Sequence, residues 1–110
     1  MSHAVATREF IYSDLAIDPD LVELVDMFVS EVPDRVTRMQ DCAAANDWEG
    51  LRRLAHQIKG AAGSYGFSEV TPYAARLEAN LKEAQPEDVV LANLSELLDV
   101  CGKLRGGMPE

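Results

Sequence analysis

His56 is the residue of this 110-residue sequence best suited to chemistry. It lies in a segment, residues 47–65, whose apolar positions recur every three or four residues and therefore predict a helix. On a helical wheel with His56 set at zero, the apolar stripe is centred at about 200°. The imidazole is therefore predicted to point away from the core, where a reacting group can reach it.

Two glycines and three cations surround the histidine on the same helix. Gly60 and Gly63 follow it by one and two turns on its own face, although each interior glycine costs about 1 kcal/mol relative to alanine. Such glycines indicate that another group approaches the backbone closely. Lys59 reaches the same patch, and Arg52 and Arg53 lie one turn earlier. Imidazole is a nucleophile near neutral pH, so this face is suited to carry an anion, most naturally a phosphoryl group on nitrogen.

The distribution of charge supports an anion-carrying site. The whole sequence has a net charge of −9, but residues 51–84 hold 3 acidic and 5 basic residues. The overall acidity argues against a nucleic-acid binder, because phosphate contacts need many Lys and Arg residues. A plainer explanation remains open, in which the cations form a solvated face and the glycines serve close helix packing.

Other kinds of site are not expected. Neither GxxxxGK[ST] nor GxGxxG occurs, and no apolar run approaches the ~18 residues that span a membrane. Cys42 and Cys101 fall on apolar stripes and are expected to pack in the core. A metal site built from His3 and His56 is not expected, because His3 lies in the predicted N-terminal tail. We therefore expect a cytoplasmic protein that holds no cofactor and contacts neither membrane nor nucleic acid.

The apolar periodicity predicts an all-α fold, an antiparallel up-down four-helix bundle with a short N-terminal capping helix or turn over residues 10–15. The predicted helices run from 19 to 45, from 47 to 65, from Ser68 or Thr71 onward, and from Pro86 to Gly106-Gly107. Pro33 bends the first helix or divides it in two. We predict one domain over residues 1–110, with a frayed segment 1–9 and a tail 105–110.

Local signals set the predicted helix ends and inward faces. Asp18 caps the first helix, Asn46 with Glu49 forms a capping-box variant for the second, and Gly66 takes the left-handed position after it. The first helix turns these residues inward: Leu21, Leu24, Phe28, Val32, Val36, Met39 and Ala43. The last helix turns these inward: Val90, Leu91, Leu94, Leu97, Leu98, Cys101 and Leu104.

Residues 55–67, Ala-His-Gln-Ile-Lys-Gly-Ala-Ala-Gly-Ser-Tyr-Gly-Phe, resemble the signature of histidine-containing phosphotransfer (HPt) domains, most closely those of hybrid sensor-kinase phosphorelays. The resemblance continues through Leu77-Glu78 and includes the first predicted helix and turn. It implies a phosphocarrier rather than an enzyme, accepting a phosphoryl group from a receiver-domain aspartate and passing it to another receiver. The implied partners are response-regulator receiver domains, which supply Mg²⁺, and a hybrid histidine kinase.

The resemblance also implies residue roles. His56 takes the phosphoryl group, Lys59 stabilises its oxygens, and Gly60 leaves room for it. Glu78 accepts a hydrogen bond from the other ring nitrogen, although an i,i+4 pair with Lys82 is an alternative or additional role. Contact with the partner is assigned to Arg52, Arg53, Gln57 and Gly63, and an apolar docking surface is expected at Ala61, Gly63 and the exposed part of residues 10–15.

Two other functions remain open from the sequence. The domain could be phosphorylated directly by a kinase, as in chemotaxis kinases, or it could be a helical adapter whose histidine is never modified. We expect a monomer, because all four apolar stripes are needed inside the bundle.

Overall fold

The fold is an all-α bundle, as predicted. The computed structural model describes residues 10–107, in which four helices run over α1 Pro19–Ala44, α2 Trp48–Ser64, α3 Thr71–Lys82 and α4 Glu87–Cys101. Successive helices pack against each other, and α4 returns to α1. None of the helices in residues 10–107 is both long and apolar enough to cross a membrane.

The core lies along the bundle axis and receives side chains from every helix. Its largest fully buried side chains are Val25, Met39, Leu51, Ile58, Phe67, Val70, Leu77 and Leu97. The most extensive contact is between α2 and α3, which leaves these two helices well fixed relative to each other. This pair of helices carries the histidine and the carboxylate of the candidate site.

The first helix is continuous through Pro33, so the alternative of two separate helices is wrong. Asp18 caps its start, and Asp18 Oδ1 accepts a hydrogen bond of 2.9 Å from the Asp20 amide. Phe28, Val32 and Met39 of the predicted stripe are buried, but Val25 is fully buried in place of Leu24, which is 48% exposed. The reason is that contacts with neighbouring helices, rather than hydrophobicity alone, decide which flank of a long helix is covered.

The start of α2 differs from the capping-box prediction. Asp47 is the N-cap, and Asp47 Oδ1 accepts a hydrogen bond of 2.9 Å from the Gly50 amide. Asn46 instead has a φ of 56°, which asparagine tolerates better than most residues. The tight turn after α1 requires this left-handed residue, and the cap therefore moves one residue along the chain.

The end of α2 agrees with the predicted glycine cap. Gly66 has a φ of 85°, and the Phe67 amide donates to the Ala62 carbonyl at 2.8 Å, as in a Schellman motif. The third helix then begins at Thr71 rather than Ser68 and has no side-chain cap. The short connection between the end of α2 and the start of α3 thus places these two helices next to each other.

Two short segments far apart in the sequence, one before the first helix and one after the last, pair with each other, which the sequence did not predict. The last helix ends at Cys101, not at Gly106-Gly107, and Leu91 on its surface is 39% exposed. Strand β1, Ile11–Tyr12, pairs in parallel with β2, Leu104–Arg105. The expected short capping helix or turn near the N-terminus is present as a 3₁₀ helix over Asp14–Ile17. Pairing between segments so far apart in the sequence leaves no signal in the local pattern of apolar residues. The predicted last helix was therefore too long.

Candidate functional site

His56 lies in the middle of α2 and points outward, as the wheel predicted. Its side chain is 64% exposed, whereas Ile58 and Ala55 on the same helix are fully buried. Helical geometry fixes this orientation, because the buried residues define the inward face of α2. One edge of the ring faces α3, and the rest is open to an approaching molecule.

Glu78 on α3 is the centre of the polar cluster around the histidine. Its Oε2 is 2.9 Å from His56 Nδ1, and its Oε1 accepts a hydrogen bond of 2.8 Å from Lys59 Nζ. Lys82, one turn further along α3, has its Nζ 3.5 Å from the same Oε2. The hydrogen bond expected for Glu78 and the i,i+4 pair with Lys82 are thus both present. We refer to these four residues as the Glu78 cluster.

The Glu78 carboxylate is buried but remains charged. Its side chain is only 5% exposed, because the imidazole and the two lysine side chains cover it. The hydrogen bond from Lys59 lowers the pKa of Glu78 to about 2, with help from the His56 hydrogen bond and against the opposing effect of burial. An ionised carboxylate can only accept a hydrogen bond, so His56 Nδ1 must be the donor. The lone pair of the neutral ring is therefore on Nε2.

The two glycines beside the histidine are not explained by helix packing. A Cβ atom built on Gly60 has no neighbour within 4 Å. One built on Gly63 approaches Thr71 Oγ1 at 3.7 Å, an ordinary van der Waals contact. Alanine would therefore fit at both positions and favour the helix, so nothing among residues 10–107 requires glycine there. The open space next to His56 is available to a molecule from outside.

The remaining predicted contact residues do not join the Glu78 cluster. Arg52 is half-buried and forms an ion pair with Glu49. Arg53 and Gln57 line a groove between α1 and α2, on the flank of α2 away from Glu78. Since they stay near the histidine, they could contact a docked protein, but they do not contact the imidazole.

Part of the exposed apolar surface was not predicted from the sequence. An apolar surface, defined here by Phe10, Ile17, Leu24 and Met27, consists of exposed side chains of the N-terminal segment and of the first half of α1. Leu24 and Met27 escaped notice because their helix was assumed to turn the former inward.

Comparison with protein-family models identifies the family of the chain. The family model for the Hpt domain matches residues 23–107, which include the whole Glu78 cluster. The chain belongs to the Hpt domain family. Hpt domains are phosphocarrier modules of two-component signalling and interact with response-regulator receiver domains and kinase domains. Searches among curated proteins and among solved structures found no significant match.

The geometry of this Hpt domain suits a phosphoryl acceptor. The imidazole nitrogen with the free lone pair faces outward, the other nitrogen is hydrogen-bonded, and two ammonium groups lie beside them. The cluster carries a net charge of +1 when His56 is neutral, counting Glu78, Lys59 and Lys82. A dianionic group on the histidine would therefore meet a favourable electrostatic environment.

Proposed function

We propose that this Hpt domain accepts a phosphoryl group on Nε2 of His56 from the aspartyl phosphate of one receiver domain and passes it to the aspartate of another. The observation that carries the proposal is the hydrogen bond of 2.9 Å between His56 Nδ1 and Glu78 Oε2. It holds the ring in the tautomer whose nucleophilic nitrogen is Nε2 and turns that nitrogen toward the outside.

The chemical step needs no proton acceptor on this domain. The Nε2 lone pair attacks phosphorus, the bond from phosphorus to the aspartyl oxygen breaks, and its electron pair returns to the receiver carboxylate. The proton stays on Nδ1, where Glu78 stabilises the positive ring that forms. In the reverse direction the Nε2–P bond breaks and its electrons restore the neutral imidazole.

The neighbouring residues have supporting roles in this proposal. Lys59 contributes positive charge beside the phosphoryl oxygens from its position on Glu78 Oε1. Gly60 leaves open the space that the phosphoryl group and the receiver active site need. We expect the receiver to supply Mg²⁺, which neutralises charge during in-line transfer, so that this domain requires no metal of its own.

The apolar surface is the proposed docking region for the receiver. Its members are exposed between 48% for Phe10 and 80% for Ile17. Phe10 and Ile17 belong to the segment that packs at the end of α2, where Ser13 Oγ donates to the Tyr65 carbonyl, and Leu24 and Met27 lie on α1. Apolar contact there would give affinity without adding acidic charge next to the phosphoryl group. Every member of the site comes from one chain, so we expect a monomer to be sufficient. We also expect the exchange to take place in the cytoplasm.

The test is transfer from a phosphorylated receiver to His56→Gln. We expect the wild-type protein to gain acid-labile phosphate from at least one receiver of a purified panel, and the variant to gain none. The side chain of His56 is 64% exposed, so the variant should fold normally, with an unchanged circular dichroism spectrum as the control.

Two results would contradict this function. Equal labelling of the wild type and the His56→Gln variant would place the phosphoryl group elsewhere. Labelling of the wild type by a kinase core with ATP but by no receiver would show that a kinase, rather than a receiver, supplies the phosphoryl group.

A further inference from the structure

Two lysines contact the same carboxylate but are held differently. Lys59 Nζ is 2.8 Å from Oε1 of Glu78, and its side chain is 33% exposed. Lys82 Nζ is 3.5 Å from Oε2, and its side chain is 58% exposed. Oε2 is also the oxygen that accepts from His56 Nδ1, so the Lys82 ammonium and the imidazole contact the same oxygen atom.

The number of lysines matters because two anions would share this site. A buried carboxylate without a cationic partner is strongly destabilising, so a single lysine could not leave Glu78 to bind a phosphoryl group at low cost. Arg52, the other cation facing this side of α2, is already paired with Glu49. With two lysines, one can remain on Glu78 while the other pairs with the phosphoryl oxygens.

Lys82 is the lysine that can move. Its ammonium is exposed to solvent and its contact with Glu78 is the longer of the two, so breaking this contact costs less than breaking that of Lys59. When it breaks, Oε2 keeps its hydrogen bond from His56, and Oε1 keeps the one from Lys59. The flexible stem and rotatable donors of a lysine allow the short movement toward the ring. Lys59, with a shorter contact and less exposure, is the residue that stays.

We propose that Lys82 is the mobile phosphoryl-binding cation of this site: when Nε2 of His56 is phosphorylated, the Lys82 ammonium leaves Glu78 and pairs with a phosphoryl oxygen, while Lys59 stays on Glu78. The inference rests on the proposed phosphorylation of His56. It assigns the two lysines different tasks, one holding the carboxylate that orients the ring and the other binding the group that the ring carries.

The experiment uses phosphoramidate, a small phosphoryl donor that requires no receiver: its P–N bond breaks, ammonia leaves, and the Nε2–P bond forms. The wild type, Lys82→Met, Lys82→Arg and Lys103→Met are labelled and the phosphoryl group is titrated by ³¹P NMR. Lys103 forms no ion pair within residues 10–107, so its variant controls for the loss of one positive charge.

A nearby ammonium favours the dianionic phosphoryl group, so its loss raises the pH at which that group takes up a proton. In Lys82→Met we expect this midpoint to rise by about half to one pH unit, a threefold to tenfold change in proton affinity. Lys82→Arg and Lys103→Met should match the wild type. A purely structural role for Lys82 would not move the midpoint.

The outcomes separate this inference from the proposed function. An unchanged midpoint in Lys82→Met, or an equal rise in Lys103→Met, would overturn the role of Lys82 while leaving His56 as the acceptor. Absence of label on His56 in the wild type would overturn both.

Discussion

Gly60 and Gly66 are six residues apart, yet they need to be glycine for opposite reasons. A Cβ atom on Gly66 would lie 2.3 Å from Ser13 Oγ and 3.0 Å from the Asp14 amide nitrogen, and the residue has a φ of 85°. A Cβ atom on Gly60 would meet nothing within 4 Å, and this residue lies inside the regular helix α2. The protein's own fold therefore requires glycine at Gly66 but not at Gly60.

The contrast separates the scaffold from the site. At the end of α2, the N-terminal segment closes over the helix through the Asp14 amide, which donates to the Gly66 carbonyl at 3.0 Å. Around His56, the space is left open and the polar groups are arranged beneath it. A helical glycine that no contact within the described residues explains is therefore a good indicator of contact with another molecule. The following predictions test this distinction.

The largest effect is expected for Gly66→Ala. The left-handed backbone and the clash with the segment around Ser13 should lower the free energy of unfolding by about 2–4 kcal/mol, measured by urea denaturation. Gly107→Ala is the matched control, because Gly107 also has a positive φ, of 75°, but a Cβ atom there meets nothing within 4 Å. Its cost should be only about 1 kcal/mol. Equal losses in the two variants would mean that packing of the N-terminal segment contributes nothing.

A smaller, pH-dependent effect is expected for Glu78→Gln. Glutamine keeps an acceptor for His56 but loses the charge that both lysines contact, so the variant should be about 1–2 kcal/mol less stable near neutral pH. The pKa of Glu78 is lowered from 4.5 to about 2 in the folded protein. As the pH falls through this range the unfolded chain takes up the proton first, so the stabilisation by the charge is lost between about 4.5 and about 2.

The measurement is the difference in unfolding free energy between the wild type and Glu78→Gln across this acidic range. The difference should shrink steadily as the pH is lowered. A difference that does not depend on pH would show that the hydrogen bond alone, without the charge, accounts for the contribution of Glu78.

The smallest change in stability is expected for Gly60→Ala, and its sign is opposite. Alanine should stabilise the helix by about 1 kcal/mol, because no neighbour opposes its methyl group. Transfer from a phosphorylated receiver should be slowed more than labelling by phosphoramidate, because the receiver brings a large surface close to the helix in addition to the phosphoryl group. Unchanged transfer from the receiver would remove Gly60 from the docking region.

Much of the site was predictable because it follows from a single helix. The outward direction of His56 and the position of Gly60 on the same face require only the helical repeat of α2. Helix boundaries were less predictable: the N-cap moved from Asn46 to Asp47, because the turn needed a left-handed residue that a capping pattern does not indicate. Leu24 was assigned to the core although hydrophobicity does not show which flank of α1 the other helices cover.

By itself, the sequence determined four amphipathic helices and one outward histidine with space beside it, since the pattern of apolar residues along a helix is local information. The resemblance implied the contact of Glu78 with His56, and helical spacing its pair with Lys82. Only the tertiary structure decided that Lys59 shares the same carboxylate and that residues 11–12 and 104–105 pair as strands. These contacts join residues on different elements, and their strength depends on burial and distance, which exist only after the helices have packed.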